Sequence, residues 1–231
     1  MNEQGVVGFY DARDLTACIG TCSWTPRAGF IGPLTGTAIV SGDGWVMAPR
    51  FSSAENTGIV GAQPYTAVVA FKDTGVYPEN PVRTLTYLGG GVLQGYRLQY
   101  VTDSALAHSG SHSDTGFSYN GLRQQSAHLW ASSYLGGTST TQYWNGAFHA
   151  LNVGGPEWNT VPGPLQVGAA YGQAFFENFN GGIKFVLIVN RALTQSEVAS
   201  VARWSWESHG VGLDLMNFSP DAWTGVSADQ V

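Results

Sequence analysis

The chain has 231 residues, a length that fits one large domain or two small ones. Charged residues make up only 11% and aromatic residues 13%, and there are 31 glycines, which together exclude a disordered chain and disfavour a helix-rich one. The formal net charge is −6 and no basic run occurs, so nucleic acid is not an expected partner. No run approaches the roughly 18 apolar residues of a membrane span, and residues 1–13 lack the basic start and apolar run of a secretion signal.

Short β-type runs separated by Gly and Pro recur along the chain and predict an all-β antiparallel domain. The predicted strands cover residues 5–10, 37–40, 45–48, 65–72, 83–88, 96–101, 127–134, 140–144, 148–153, 165–169 and 182–189. Asp43-Gly44 and Asn145-Gly146 predict hairpin turns, because these pairs accept positive φ. The polar residues 105–120 predict a long loop with at most one edge strand.

One helix is predicted after the strands. Thr194 and Glu197 have the capping-box spacing, in which each side chain satisfies a backbone N–H group of the first turn. Apolar residues then recur at helical spacing until Gly210. The pattern therefore predicts a β-sandwich with one short C-terminal helix.

The chain divides into a domain over residues 1–212 and a tail over 213–231. The tail contains large apolar residues without a strand or helix period, so it must dock on something. Phe218 and Trp223 are the expected anchors, since aromatic residues dominate interface energetics. We predict an interaction arm; the alternative is that the tail folds back on its own sandwich.

The chain has two cysteines, Cys18 and Cys22, which are too few to form a disulfide scaffold. Gly20 between them permits a turn that would bridge them, but a short loop strains the bond geometry. No further ligands follow at zinc-finger spacing. We therefore expect free structural thiols.

Four segments carry a resemblance to a known fold family. Residues 179–198 contain a Gly-rich turn, an apolar strand, Asn-Arg-Ala-Leu and a capped helical turn, and this order resembles the C-terminal signature of laminin-G-like, concanavalin A-like jelly rolls. Residues 38–47, 143–146 and 165–168 are similar to the hairpins and strand of that family. The resemblance covers roughly residues 5 to 208 and implies an antiparallel jelly-roll β-sandwich. In this corner of the fold we expect Arg191 to bind carbonyls or a carboxylate, and Leu193 to fill the core beside the helix.

The resemblance implies either a binding module or a glucan-cleaving enzyme. The enzymes need two carboxylates on one strand face, two or four residues apart. No pair of Asp or Glu has that spacing; Asp11 and Asp14 are three apart and are expected to be turn and cap residues. We therefore predict a protein that is not an enzyme.

Sugar binding requires exposed aromatic rings beside amide side chains. One cluster before the last strand has this composition, and its members are Trp158, Tyr171, Phe175, Phe176 and Asn178. The alternative is that these rings pack the end of the sandwich or a protein interface. Jelly rolls of this type often bind calcium through loop carboxylates, which makes Asp43 the candidate ligand; otherwise Asp43 bonds its own backbone in the turn. No other cofactor is expected.

We predict a non-catalytic structural or binding module, and a phage virion component best reconciles such a domain with the missing secretion signal. Capsid decoration and a tail or fibre role both stay open, with other virion proteins or further copies as partners and surface polysaccharide as a second ligand. The expected location is the virion, otherwise the extracellular space. The alternative functions are a lectin-like carbohydrate-binding module and a glucan-cleaving enzyme of the same fold.

Overall fold

A computed structural model describes residues 5–15, 18, 20–74, 83–90, 95–102, 105–110, 113–118, 126–137, 139–153, 159–169 and 178–212, with side chains outside residues 100–118. The described part contains fifteen strands, one α-helix and a short 3-10 helix over Ala12–Asp14. The strands are β1 Val6–Asp11, β2 Cys22–Trp24, β3 Ala28–Gly29, β4 Leu34–Val40, β5 Val46–Asn56, β6 Tyr65–Lys72, β7 Arg83–Leu88, β8 Tyr96–Thr102, β9 Ala105–Gly110, β10 Ser113–Ser118, β11 Ala127–Tyr134, β12 Ser139–Trp144, β13 Ala147–Val153, β14 Pro164–Val167 and β15 Gly182–Val189. The helix α1 covers Gln195–His209.

All pairings between these strands are antiparallel, and they form one sheet that curls into two layers. The first layer has the order β3-β1-β15-β6-β11-β12-β13, and the second contains β2, β4, β5, β14, β7, β8, β9 and β10. β5 joins the layers, because Val46 and Met47 pair with β15 while residues further along pair with β4 and β14. The antiparallel jelly-roll sandwich predicted from the sequence is confirmed.

Two apolar clusters hold the layers together. The inner cluster lies between the layers, and its fully buried members include Trp24, Trp130, Tyr10, Tyr65 and Phe71. The outer cluster lies between the first layer and α1 and includes Phe185, Leu193, Val198 and Val201. Each fully buried large side chain contributes about 1.5–3 kcal/mol, so both clusters are major sources of stability.

β15 lies at the centre of the first layer, as its nearly continuous apolar sequence predicts. All eight of its residues are buried, and it pairs with β1 on one side and β6 on the other. A strand with alternating polar residues would place some of them in one of the two clusters. The apolar run therefore fixes this strand at the middle of the fold.

The predicted helix cap is present. The Thr194 hydroxyl accepts the Glu197 N–H at 3.3 Å, and the Glu197 carboxylate accepts the Thr194 N–H at 2.8 Å. Arg191 binds the same carboxylate at 2.6 Å, as expected for this corner. Gly210 adopts φ +68° and ends the helix, since a residue with a Cβ is strained in that conformation.

Asn145 and Gly146 connect β12 to β13 with φ values of +49° and +86°. Positive φ at both central residues is the type I′ geometry that matches the twist of paired strands. The hairpin predicted from this dipeptide is therefore confirmed.

Three expectations for the strands were wrong or incomplete. Residues 105–118 form the hairpin β9–β10 instead of a long loop; this pair ends the second layer, where strands need not be apolar on both faces. β5 continues to Asn56 past Pro49, although proline disfavours a strand interior. The short strands β2 and β3 were not predicted, because they contain too few residues to show a hydrophobic period.

The expectation of free thiols was also wrong. Cys18 and Cys22 form a disulfide with a Cα–Cα distance of 5.6 Å. That separation lies within the normal range, so Gly20 and its neighbours turn tightly enough to satisfy the bond. The bridge closes the segment that enters β2.

No helix among the described residues combines the length and the apolar character that crossing a membrane requires.

Candidate functional site

Most of the site residues predicted from the sequence lie outside the described residues. These are Trp158, Tyr171, Phe175 and Phe176 in the aromatic cluster, and Phe218 and Trp223 in the tail. Asn178 is described: it is partly exposed and forms a parallel bridge with Thr84 at the start of β7. The backbone of Asn178 thus lies beside β7 of the second layer.

A row of side chains crosses the outer face of the second layer. Thr35 pairs with Ser52, Ser52 with Gln166, Gln166 with Tyr87, and Tyr87 with Arg97. Directly opposed residues of antiparallel strands share a face, so the five side chains form one line, here called the polar row. The residues that flank it in sequence lie in the inner cluster, among them Leu34, Phe51, Leu165, Leu88 and Leu98. The polar row therefore faces away from the core.

The polar row offers several kinds of hydrogen-bonding group. Thr35 is exposed, and Ser52, Gln166 and Arg97 are partly exposed. Tyr87 is only 2% exposed, and its ring packs where a side chain at Gly95 would collide with it. At a strand spacing of about 4.8 Å, the five strands of the row span about 19 Å. The accessible polar groups are therefore Thr35, Ser52 and Gln166 on one side of Tyr87 and Arg97 on the other.

Arg50 lies beside the polar row, opposite Thr37 on β4. Its Nη1 donates to the carbonyls of Gly168 at 3.1 Å and Phe179 at 2.7 Å, and Nη2 donates to Oδ1 of Asn180 at 2.9 Å. The Phe179 N–H also donates to the Gly168 carbonyl at 3.0 Å. Arg50 thus fixes both ends of segment 169–178, which carries three of the four predicted aromatic residues and Asn178.

The Arg50 guanidinium has no ion-pair partner within the described part of the chain. Burial lowers its pKa to about 10, and the group stays charged at neutral pH. Its partners are backbone carbonyls and one amide, which satisfy its donors without neutralising its charge. The end of the polar row nearest Asn180 is therefore electropositive.

A separate pocket opens near the β4–β5 hairpin. Met47, Lys72, Asp73 and Thr74 line it, its volume is about 300 Å³, and it is called here the lysine pocket. Oδ2 of Asp43 lies 3.1 Å from Nζ of Lys72. This volume is at the lower limit for sites that hold small ligands.

The surroundings of Asp43 bear on the calcium prediction. The Ser41 hydroxyl donates to its carboxylate at 2.5 Å, and Nζ of Lys184 donates to its backbone carbonyl at 2.5 Å. The bond from Ser41, followed by the Lys72 contact, lowers the Asp43 pKa. Two ammonium groups thus occupy positions that a cation would need. Among the described residues, no three His, Cys, Asp or Glu side chains are grouped to hold a metal ion, and calcium binding stays a prediction.

Asp11 and Asp14, the close carboxylates of the sequence, serve a structural cluster. Arg27 lies 3.2 Å from Asp11 and 2.5 Å from Asp14, and Arg13 also pairs with Asp11. Asp11 is fully buried and caps the 3-10 helix, as its predicted turn role implies. Carboxylates neutralised by two arginines are poor candidates for an acid–base pair on a substrate.

A third surface is apolar. Phe148, Leu151 and Val153 are 52%, 52% and 69% exposed, and they are called here the apolar strip. They lie on β13, which pairs only with β12 among the described strands. β13 contains no charged residue and no proline, the usual devices that protect a free sheet edge.

Sequence reasoning missed the polar row, Arg50 and the lysine pocket. The row has a weak signal, because each polar member lies next to apolar residues in its strand. Strand register brings the five together, and register cannot be read from the separate strands. For Arg50, the only sequence signal is a single cation directly after a proline, in a strand whose other charged residue is Glu55.

Several solved carbohydrate-related proteins share this fold. Domain 4 of AbnA, an extracellular GH43 arabinanase from Geobacillus stearothermophilus solved with arabinotriose, has a TM-score of 0.60 at 16% identity; the match covers 85% of this chain and 98% of that domain. The CBM40 of Ruminococcus gnavus IT-sialidase, bound to α2,3-sialyllactose, has a TM-score of 0.54 at 14% identity and covers 68% of this chain and 96% of that one.

A Trypanosoma rangeli sialidase matches with a TM-score of 0.61 at 11% identity, over 89% of this chain. The present chain spans only 33% of the length of that sialidase. At these identities the likeness establishes the fold alone, an antiparallel β-sandwich. No protein-family description and no curated protein matches the sequence.

Proposed function

We propose that this chain is a non-catalytic glycan-binding module and that an oligosaccharide lies along the polar row. The observation that carries the proposal is the row itself: five opposed side chains on five strands, with Arg50 beside them. Hydroxyl and amide groups donate to and accept from sugar hydroxyls, and a guanidinium group donates to them, directly or through water. A row about 19 Å long suits several sugar units better than a single one.

Segment 169–178 supplies a second element of the proposed site. Arg50 ties its two ends beside the row, and it carries Tyr171, Phe175, Phe176 and Asn178. Aromatic rings offer a flat apolar face to a sugar ring, while the row supplies the polar contacts. In this proposal Arg50 is a positioning residue, because its donors are bound to the backbone and to Asn180.

The ligands of the similar structures set the first compounds to test. The arabinanase domain was solved with arabinotriose and the sialidase module with α2,3-sialyllactose. Both are short oligosaccharides, which agrees with the length of the row. Neither sugar is assigned to this chain by the likeness of fold.

Calorimetric titration of the purified chain with both oligosaccharides and a wider glycan panel tests the proposal. Gln166→Ala and Arg97→Ala should weaken binding about two- to tenfold each, the range expected for one lost hydrogen bond. Arg203→Ala on the exposed face of α1 is the matched control and should bind like the parent. Absence of binding to every glycan, or equal binding by the row variants, would overturn the proposal.

A second candidate function is assembly into a larger structure, and the apolar strip favours it. An uncharged free edge strand with three exposed large apolar residues suits contact with another copy or another protein. We propose on this basis that the strip and the 213–231 tail, with Phe218 and Trp223, serve such contacts. Placement in a phage virion is the narrower form of this candidate, and extracellular location suits the glycan-binding form.

A further inference from the structure

Positive charge is concentrated at the lysine pocket, although the chain as a whole is acidic. The sequence contains two lysines, Lys72 and Lys184, and the formal net charge is −6. Both ammonium groups lie over the ring of Trp45, with Nζ at 4.7 Å and 4.9 Å from its centroid. A fold that needed these lysines only for solubility would leave them on separate exposed surfaces. Their convergence on one ring instead builds a local positive site beside an open pocket.

The two lysines are held differently. Lys184 is only 8% exposed, and the bond that it makes in the described part of the chain goes to the Asp43 backbone carbonyl. Burial lowers the pKa of Lys184, with the nearby Asp43 acting in the opposite direction. Lys72 lines the pocket, and its side chain is 23% exposed. Lys184 therefore supplies fixed charge, while Lys72 is the group that a ligand can reach.

The Asp43 carboxylate contacts Lys72 at the place where an anionic ligand of the pocket would bind. Its carboxylate lies 3.1 Å from Nζ of Lys72, and its side chain is 61% exposed at the tip of the β4–β5 hairpin. An exposed ion pair of this kind contributes little to stability and is easily exchanged. An incoming carboxylate or sulfate can replace the Asp43 carboxylate on Lys72 without breaking a buried contact.

We infer that the lysine pocket binds an oxyanion, either free or as the acidic group of a sugar, in place of the Asp43 carboxylate. Lys72 contacts the anion, Lys184 adds charge behind it, and Thr74 and the Met47 side chain line the remaining volume. Asp73 lies in the same wall and is 3% exposed; its carboxylate lies 4.0 Å from the buried Arg83, which offsets its charge. This site is distinct from the polar row, and its function does not depend on glycan binding there.

Titrations at constant ionic strength test the inference, with inorganic sulfate, glucuronic acid and neutral glucose as the probes. The parent chain should bind at least one of the two anionic probes and show no binding of glucose. Sulfate binding alone identifies a free oxyanion as the ligand, whereas tighter binding of glucuronic acid identifies an acidic sugar. Failure of both anions to bind would overturn the inference.

Two substitutions locate the site. Asp43→Asn removes the internal competitor and should tighten anion binding about two- to fivefold. Lys72→Met removes the contacting charge and should weaken it about tenfold or more, while Lys72→Arg keeps binding within a few fold. Arg203→Met on α1 controls for the general loss of a positive charge, and Gln166→Ala, in the polar row, should not change anion binding.

Circular dichroism shows whether Lys72→Met folds. If it does not fold, the Asp43→Asn titration still tests the inference. Unchanged or weaker anion binding by Asp43→Asn would mean that the carboxylate does not compete for Lys72, and the inference would fail. A chain that binds the anions but no glycan at the polar row would refute the proposed function and leave this inference standing. The two proposals can therefore fail separately.

Discussion

Nε2 of His209 lies 3.4 Å from Oδ2 of Asp11, and this contact joins the last turn of α1 to the end of β1. Both side chains are almost completely buried. Arg13 and Arg27 complete the cluster around the carboxylate, and the Trp24 indole donates to the Asp11 backbone carbonyl at 2.7 Å. One buried carboxylate thus connects three elements of the described chain, namely β1, the 3-10 helix and α1.

The Asp11 cluster makes stability depend on acid pH. Burial alone would raise the pKa of Asp11, but the contact with His209 and the hydrogen bonds from Arg13 outweigh it and hold that pKa well below its usual range. A depressed folded-state pKa gives stability that is present above the unfolded pKa of about 3.9 and is lost as the pH falls below it. The urea midpoint of the parent should therefore fall between pH 5 and pH 3 (roughly the window set by that value).

Asp11→Asn is the variant that isolates this effect. It should lower the free energy of unfolding at pH 7 by roughly 1.5–3 kcal/mol, because a neutral amide replaces the fully buried carboxylate that Arg13 and Arg27 contact. It should also flatten the decline toward pH 3. Asp14→Asn is the partner control, since the Asp14 side chain is 30% exposed. An equally steep acid decline in Asp11→Asn would assign the pH dependence to other groups.

The capping box of α1 should have a measurable stabilising effect. Thr194→Ala removes the hydroxyl that accepts the Glu197 N–H and should cost about 1 kcal/mol. The Arg191 and Thr194 bonds to Glu197 also lower the pKa of that carboxyl to about 2. Ser200→Ala, which removes a mid-helix hydroxyl, should change the denaturant midpoint much less. An unchanged midpoint and slope for Thr194→Ala would show that the box contributes nothing.

The Cys18–Cys22 disulfide should give only modest stabilisation. The two cysteines are four positions apart, and closing so small a loop restricts the unfolded chain by about 2 kcal/mol. Dithiothreitol should lower the free energy of unfolding of the parent, measured by denaturant titration, by that amount and leave a Cys18→Ser/Cys22→Ser variant unaffected. A parent insensitive to reductant, with two titratable thiols before treatment, would mean that the bridge does not form.

The chain should not hydrolyse glycans. The two carboxylates that are closest in sequence, Asp11 and Asp14, are both neutralised by Arg27. No carboxylate belongs to the polar row. Incubation with a panel of β-glucans, arabinan and sialyllactose should release no reducing ends and no free sialic acid. Turnover that a single Asp or Glu substitution abolishes would contradict this prediction.

Deleting residues 213–231 should abolish assembly and leave the thermal stability of the monomer unchanged. Gly212, the last described residue before the tail, packs against Leu129, whose carbonyl accepts the Asn145 N–H, so Gly212 lies close to the β12–β13 hairpin. Light scattering and a melting curve give the two readouts. Leu151→Ser should reduce assembly in the same way if the strip is the contact. A large drop in melting temperature with the oligomeric state unchanged would mean that the tail covers its own sandwich.

Local patterns predicted the elements whose structure is set by neighbouring residues. Asn145-Gly146 encodes its turn through backbone conformation, Thr194 and Glu197 cap their helix across one turn, and the apolar run of β15 has no alternative to a buried position. Each of these depends on residues within a few positions of one another. The fold class followed from them, together with the resemblance.

Long-range pairing determined what the sequence did not reveal. The polar row needs the register of five strands, and Arg50 meets Gly168 and Phe179 only after β5 and β14 have paired. The free-thiol expectation was wrong because the conformation around Gly20 decides whether the sulfurs meet. Lys72 and Lys184 are 112 positions apart in sequence, so their shared contact with Trp45 had no local signal.

β5 has a mechanical consequence, because the same strand belongs to both layers. It pairs with β15 through Val46 and Met47 and continues past Ala48, at φ +45°, into the layer that carries the polar row. A pulling force applied at the row would thus reach the first layer through the covalent backbone as well as through side-chain packing. Separating the layers under load would require β5 to lose its hydrogen bonds either to β15 or to β4 and β14.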